Sequence, residues 1–128
     1  MSYYFSTRIE GGFEQAVERV TGELQKEGFG ILTEIDVRAT LKKKLDVDFR
    51  NYMILGACNP PYAYRAFQAE PKIGIMLPCN VVVEELEDGL IEVAAVDPLV
   101  AMASIDNQDL GAVAAEIRQK LQSVLDRL

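Results

Sequence analysis

Two apolar stretches in the middle of the chain each carry a cysteine–asparagine pair beside a proline. They are Tyr52-Met53-Ile54-Leu55-Gly56-Ala57-Cys58-Asn59-Pro60 and Gly74-Ile75-Met76-Leu77-Pro78-Cys79-Asn80-Val81-Val82-Val83. Proline has no N–H to give to a sheet, so each marks a point where extended backbone must end, bulge or break. Cys58 and Cys79 are the only two cysteines. Any fold for this chain must therefore seat two interrupted core segments, and the interruptions are its candidate site.

The flanking sequence supplies the partners. An aromatic and β-branched run predicts a first strand over 3–9, broken by Gly11-Gly12. Phe13, Ala16, Val17, Val20 and Leu24 then recur at the spacing of one buried helical stripe, and Gly28 ends a helix over 13–27. Residues 29–37 read as a second strand, with Ile31, Thr33, Ile35 and Val37 on one face and Glu34 and Asp36 on the other. That is the pattern of an antiparallel sheet with one face covered. A short helix follows over 38–45. The third strand, over 49–58, is apolar on both faces, so it is either covered on both sides or meets another subunit on one. Asn59 and Pro60 suit the N-cap and first position of a helix over 60–69.

Residues 73–86 form a fourth extended segment interrupted at Pro78. Glu87-Asp88-Gly89 is a hairpin turn, and a fifth strand over 90–96 closes at Asp97-Pro98. A final helix over 107–128, capped by Asp106 or Asn107, carries a long stripe from Leu110 through Ile117 and Leu121 to Leu128. The order β-α-β-α-β-α-β-β-α predicts one α+β domain over 1–128. Its sheet is antiparallel-rich, with about five strands, and its helices pack largely on one face.

Charge and composition remove whole classes of function. The chain has no histidine, which excludes Ser-His-Asp and Cys-His catalysis and His-ligated haem or zinc within one chain. A net charge of −7 opposes nucleic acid and anionic membranes. The one basic cluster, Arg38 with Lys42, Lys43 and Lys44, reads as a solvated helix face or a weak anion site. No run of about 18 apolar residues is present, so no membrane span is expected. The N-terminus lacks the marks of a signal peptide. The expected location is cytoplasmic, where two cysteines stand as thiols rather than as a structural disulfide.

The remaining chemistry is that of thiols, amides and carboxylates. Cys58 precedes a helix start, where free N–H groups and the dipole favour thiolate, or it is a small buried hydrophobe. Cys79 is a ligand contact at irregular backbone, or a buried strand residue. Their separation matches neither a C-x-x-C redox motif nor a zinc spacing. If their strands are neighbours, the two thiols suit a soft ion such as Cu(I), or a reversible disulfide. Asn59 and Asn80 are cap and turn residues or hydrogen-bond a ligand. Asp36 and Asp97 are paired carboxylates or local caps, Gly56 marks close backbone approach or simple packing, and Tyr62 and Tyr64 line a pocket or sit in the core.

These same segments, with Thr33-Glu34-Ile35-Asp36-Val37, Asp88-Gly89 and Val96-Asp97-Pro98, resemble the domain-of-unknown-function 302 family of bacteria and archaea. The resemblance covers nearly the whole chain. It implies a curved antiparallel sheet of the TATA-binding-protein-like class, often dimeric, and no established activity. The functional expectation is a homodimeric domain binding a small molecule or soft metal ion, with Cys58, Asn59, Cys79 and Asn80 as ligand-binding residues. The competing expectations are a thiol-dependent enzyme or redox protein, and a purely structural protein. No catalytic residue, cofactor or three-ligand metal set is assigned.

Overall fold

The computed structural model describes residues 2–128. Its elements run β1 (Tyr4–Ile9), α1 (Phe13–Lys26), β2 (Gly30–Asp36), α2 (Val37–Leu45), β3 (Tyr52–Cys58), α3 (Pro60–Ala69), a 3-10 turn (Ile73–Met76), β4 (Cys79–Glu85), β5 (Ile91–Val96), α4 (Pro98–Ala101) and α5 (Gln108–Asp126). The strands form one sheet in the order β1-β5-β4-β3-β2, with every neighbouring pair antiparallel. This is the expected α+β class with five strands.

Period-two alternation sorts the strands into two faces. Leu55 and Ala57 on β3, Val81 and Val83 on β4, and Ile91, Val93 and Ala95 on β5 all point to one side and are buried. Helices α1 and α5 cover that side. α1 contributes Ala16, Val20 and Leu24, and α5 contributes Leu110, Val113, Ala114, Ile117, Leu121, Val124 and Leu125. Each fully buried leucine in this layer stabilises the fold by about 2–3 kcal/mol. At the far ends of the two helices, Arg127 donates to the Glu23 and Glu27 carboxylates at 2.6 and 2.9 Å. The group is surface-exposed, so it fixes position more than it adds stability.

The other side of the sheet has no such cover. Ile35, Ile54, Val82, Ala94 and Ser6 follow one another across its middle, and Tyr52, Glu84, Glu92 and Arg8 form the next row. Glu84 and Glu92 stand directly opposite each other, an unfavourable like-charge pair. Arg50 holds Glu84 from one flank and Arg8 holds Glu92 from the other, each at 3.0 Å.

Three local expectations change. The second strand shifts register between Ile31 and Thr33, so Ile31 pairs with core-facing Ala57 while Thr33 and Ile35 fall on the uncovered side. The Thr33–Ile35 face is thus exposed rather than covered. The fourth extended segment is strand only from Cys79. Residues 73–76 make a 3-10 turn, with Ile75 N–H donating to Lys72 O at 3.1 Å and Leu77 N–H to Gly74 O at 3.3 Å. The Leu77–Pro78 bond is cis. Beyond β5, Asp97 starts the short helix α4 rather than a plain turn, its carboxylate accepting from Leu99 N–H at 3.0 Å. The other caps fall where the side chains predict. Asp36 accepts from Ala39 N–H, Asn107 accepts from Leu110 N–H, and Gly28, with φ of 89°, closes α1.

Candidate functional site

Cys58 and Cys79 lie at the same end of the sheet. Cys79 opens β4 opposite Ala57, faces the core and is 5% exposed. Cys58 closes β3 one residue beyond Ala57 and is half-buried. Both line a pocket of about 250 Å³ with Phe29, Ala63, Phe67, Leu77 and Ile117, and its walls are almost wholly apolar. Ala63, Ala66 and Phe67 come from one face of α3, at the spacing that aligns side chains along a helix. Exposed Leu32 and Phe67 stand at its rim.

The surroundings keep both sulfurs protonated. Burial pushes the Cys58 thiol up. Burial, and then the neighbouring Cys58, push Cys79 up to about 11. Of the two readings of Cys58, the upward shift favours a protonated, partly buried thiol over a thiolate at the start of α3. The helix begins with Pro60 and Pro61, so two of the N–H groups that would face an anion do not exist. A side chain poised as nucleophile needs the opposite environment. Both cysteines are free thiols, so no disulfide joins them in this structure.

Cys79 carries a pH prediction. Its folded pKa lies above the ordinary thiol value of 9.0, so the folded state keeps the proton that the unfolded chain has released. The resulting stability is complete below pH 9 and is lost as pH rises toward 11, at about 1.4 kcal/mol per pH unit. Urea midpoints of wild type and Cys79→Ala, taken from pH 8 to 11, should converge across that interval. Parallel curves would show a thiol that is not buried in this way.

The two asparagines separate. Asn59 occupies the N-cap position of α3 but makes no cap hydrogen bond. Its buried amide donates instead to Glu27 O at 3.0 Å and packs against Gly28, tying the end of α1 to the start of α3. It lines the thiol pocket from this fixed position. Asn80 lies on the uncovered side of the sheet, opposite Gly56. There it lines a second, larger concavity of about 540 Å³ with Tyr52, Val82, Glu84, Glu92 and Ala94. Pro78, Cys79 and Met102 line both spaces. The doubled Cys-Asn motif thus lies at the partition between two cavities: Cys58, Asn59 and Cys79 on one, and Cys79 and Asn80 on the other.

Other candidates resolve into local roles. Asp36 caps α2, and Asp97 caps α4 while accepting from Arg118 Nε at 2.9 Å. With one on β2 and the other after β5, three strands apart in the sheet, they make no acid–base pair. Tyr62 lines a polar groove with Glu116 and Lys120, and Tyr64 is exposed, so neither walls the thiol pocket. Lys42 pairs with Asp46 and Asp48 on the surface. Among the described residues, no three His, Cys, Asp or Glu side chains come together as a metal site. The residues missed from sequence are Phe29, Ala63, Phe67, Met102 and Ile117; the helical spacing of positions 63, 66 and 67 was the available signal.

No helix among the described residues is long and apolar enough to cross a membrane. No curated protein matches the chain. A solved structure does: the crystal structure of an uncharacterized conserved protein DUF302 from Bacillus stearothermophilus. It is 29% identical and aligns over 99% of this chain and 98% of that one, with a TM-score of 0.92. The family described as Domain of unknown function DUF302 matches residues 5–128. With that match spanning nearly its whole length, the chain belongs to the DUF302 family.

Proposed function

We propose that this protein is a cytosolic, homodimeric binding module that takes a small apolar molecule in the pocket beside Cys58 and Cys79. The observation that carries the reading is the lining of that pocket: about 250 Å³ of almost entirely apolar wall with two protonated thiols. For scale, an engineered apolar cavity of about 150 Å³ stays dry and binds benzene. The thiols act here as soft, polarizable contacts rather than as nucleophiles. Asn59 contributes by holding α3 against the end of α1.

Dimerisation is supported by what the β2 side of the fold leaves uncovered. Leu32 and Ile35 lie on a free edge strand and are 66% and 46% exposed, and α2 beside them buries no residue. Ile54 continues this apolar surface onto β3. A second copy paired along β2 would satisfy the edge and cover these side chains. Sedimentation of wild type and Ile35→Glu should read a dimer and a monomer respectively.

Benzene titrated into reduced protein tests the pocket. Shifts should be confined to the Ala63, Leu77 and Ile117 methyls, and saturation at ten times Kd should raise stability by about 1.4 kcal/mol. Ala63→Phe should abolish both responses. Absence of shifts at these methyls would end the apolar-ligand reading. Stoichiometric Cu(I) uptake lost in Cys58→Ser/Cys79→Ser protein, with no benzene response, would replace it with a two-thiolate metal site.

A further inference from the structure

The larger concavity has a different chemistry from the thiol pocket. Its volume of about 540 Å³ is that of a small-molecule site. Val82, Ala94 and Val96 make an apolar floor, and the small side chain of Ala94 leaves depth at its middle. Tyr4 rises from β1 and Tyr52 from β3, on either side of that floor.

The polar groups narrow the ligand further. Glu84 and Glu92 line the concavity, but their charges are met from outside by Arg50 and Arg8, so the paired rim is neutral. No lysine lines it, and the molecule carries a net charge of −7, so phosphates and carboxylates are disfavoured. Asn80 projects from β4 into the space, exposed, with no hydrogen bond from its side chain to the described residues. An unpaired amide offers a donor and an acceptor side by side, the edge that pairs with an adenine-type ring. Tyrosine faces are stacking platforms for such rings.

We infer that this concavity binds an uncharged, planar heterocycle of nucleobase type, its donor–acceptor edge read by Asn80 and its face stacked on tyrosine. The occupant is a free base or similar ring rather than a nucleotide, because the site offers no free cation for a phosphate.

Adenine is the probe, followed by amide and methyl NMR on the full chain. It should shift the Asn80 side-chain amide and the Ala94 methyl saturably at millimolar concentration. Asn80→Leu, an exposed substitution that leaves the core alone, should weaken binding roughly tenfold or more, as should dimethylation of the exocyclic amine. Adenosine monophosphate should bind at least as much more weakly. Ala94→Phe, filling the floor, should abolish the shifts while leaving benzene binding at the thiol pocket intact. Shifts confined to Ala63 and Leu77, equal affinity in Asn80→Leu, tighter binding of the monophosphate, or no saturable shift with adenine would each overturn the assignment.

Discussion

Gly56→Val should lower the urea midpoint by the equivalent of about 3–4 kcal/mol at an unchanged m-value. Gly56 is buried inside β3, opposite Asn80 on one side and Thr33 on the other. A Cβ placed on it would meet the Thr33 hydroxyl and would lie 2.9 Å from Pro78 Cγ. Both neighbours lean over the position because nothing occupies it. The threonine can turn its hydroxyl away, whereas the other contact is with a proline ring, which cannot rotate aside as a flexible side chain can. Overpacking of this kind usually costs about 1–3 kcal/mol, and two simultaneous clashes place valine at or beyond the top of that range. Gly56→Ala should cost less, partly offset by the reduced freedom of its unfolded chain. A double-mutant cycle with Thr33→Ala apportions the effect. Removing the hydroxyl should recover part of the loss, and the remainder belongs to Pro78. A midpoint unmoved in Gly56→Val would mean that the partition is not packed against this strand.

The same glycine shows what can be read from sequence and what cannot. A glycine in a strand pattern signals close approach, and the proline in the next apolar run signals a break, so both features were visible. That the two features touch depends on the β3–β4 register, which no local pattern encodes. The helices were legible for a simpler reason. Leu110, Ile117, Leu121 and Val124 repeat at helical spacing, and the stripe is buried as a unit. The β2 error has the opposite origin. One unpaired residue between Ile31 and Thr33 exchanges the faces of everything after it, and the alternation of Thr33, Glu34, Ile35 and Asp36 looks the same before and after the exchange.

The thiols illustrate a further limit. Cys58 stands beside a helix start, which left open an acidic thiol or a small buried hydrophobe; burial raises its pKa, and the first two helical residues offer no N–H to oppose that shift. Pro60 and Pro61 make the turn easy to form and at the same time remove the donors that would stabilise a charge. What replaces an electrostatic site is an apolar one, and the residues that make it so come from five separate elements or their borders: Phe29, Ala63, Leu77, Met102 and Ile117. Convergence from so many places is a property of the packed chain alone.

Phe29→Ala should be among the most destabilising single substitutions in the protein, costing about 3–5 kcal/mol. The ring is 2% exposed, and the residue is anchored by its N–H donating to Leu24 O at 3.0 Å directly after the Gly28 turn. That bond belongs to the backbone and survives the substitution, so the loss measures packing. A small domain is stable by about 5–15 kcal/mol, so the variant should remain folded in the cold but with a much lower midpoint. Because Phe29 also walls the thiol pocket, removing its ring joins the new void to the existing space. Benzene then replaces what the substitution removed. It should raise the midpoint of Phe29→Ala by more than it raises that of wild type, following the logarithm of benzene over Kd. A control at Leu121, equally buried but outside the pocket lining, separates the two effects: Leu121→Ala should lose about 2–5 kcal/mol and gain no more from benzene than wild type does. Equal benzene responses in Phe29→Ala and Leu121→Ala would show that the ring supports the core without bounding a site. A larger response in Phe29→Ala alone would place the pocket wall at this residue.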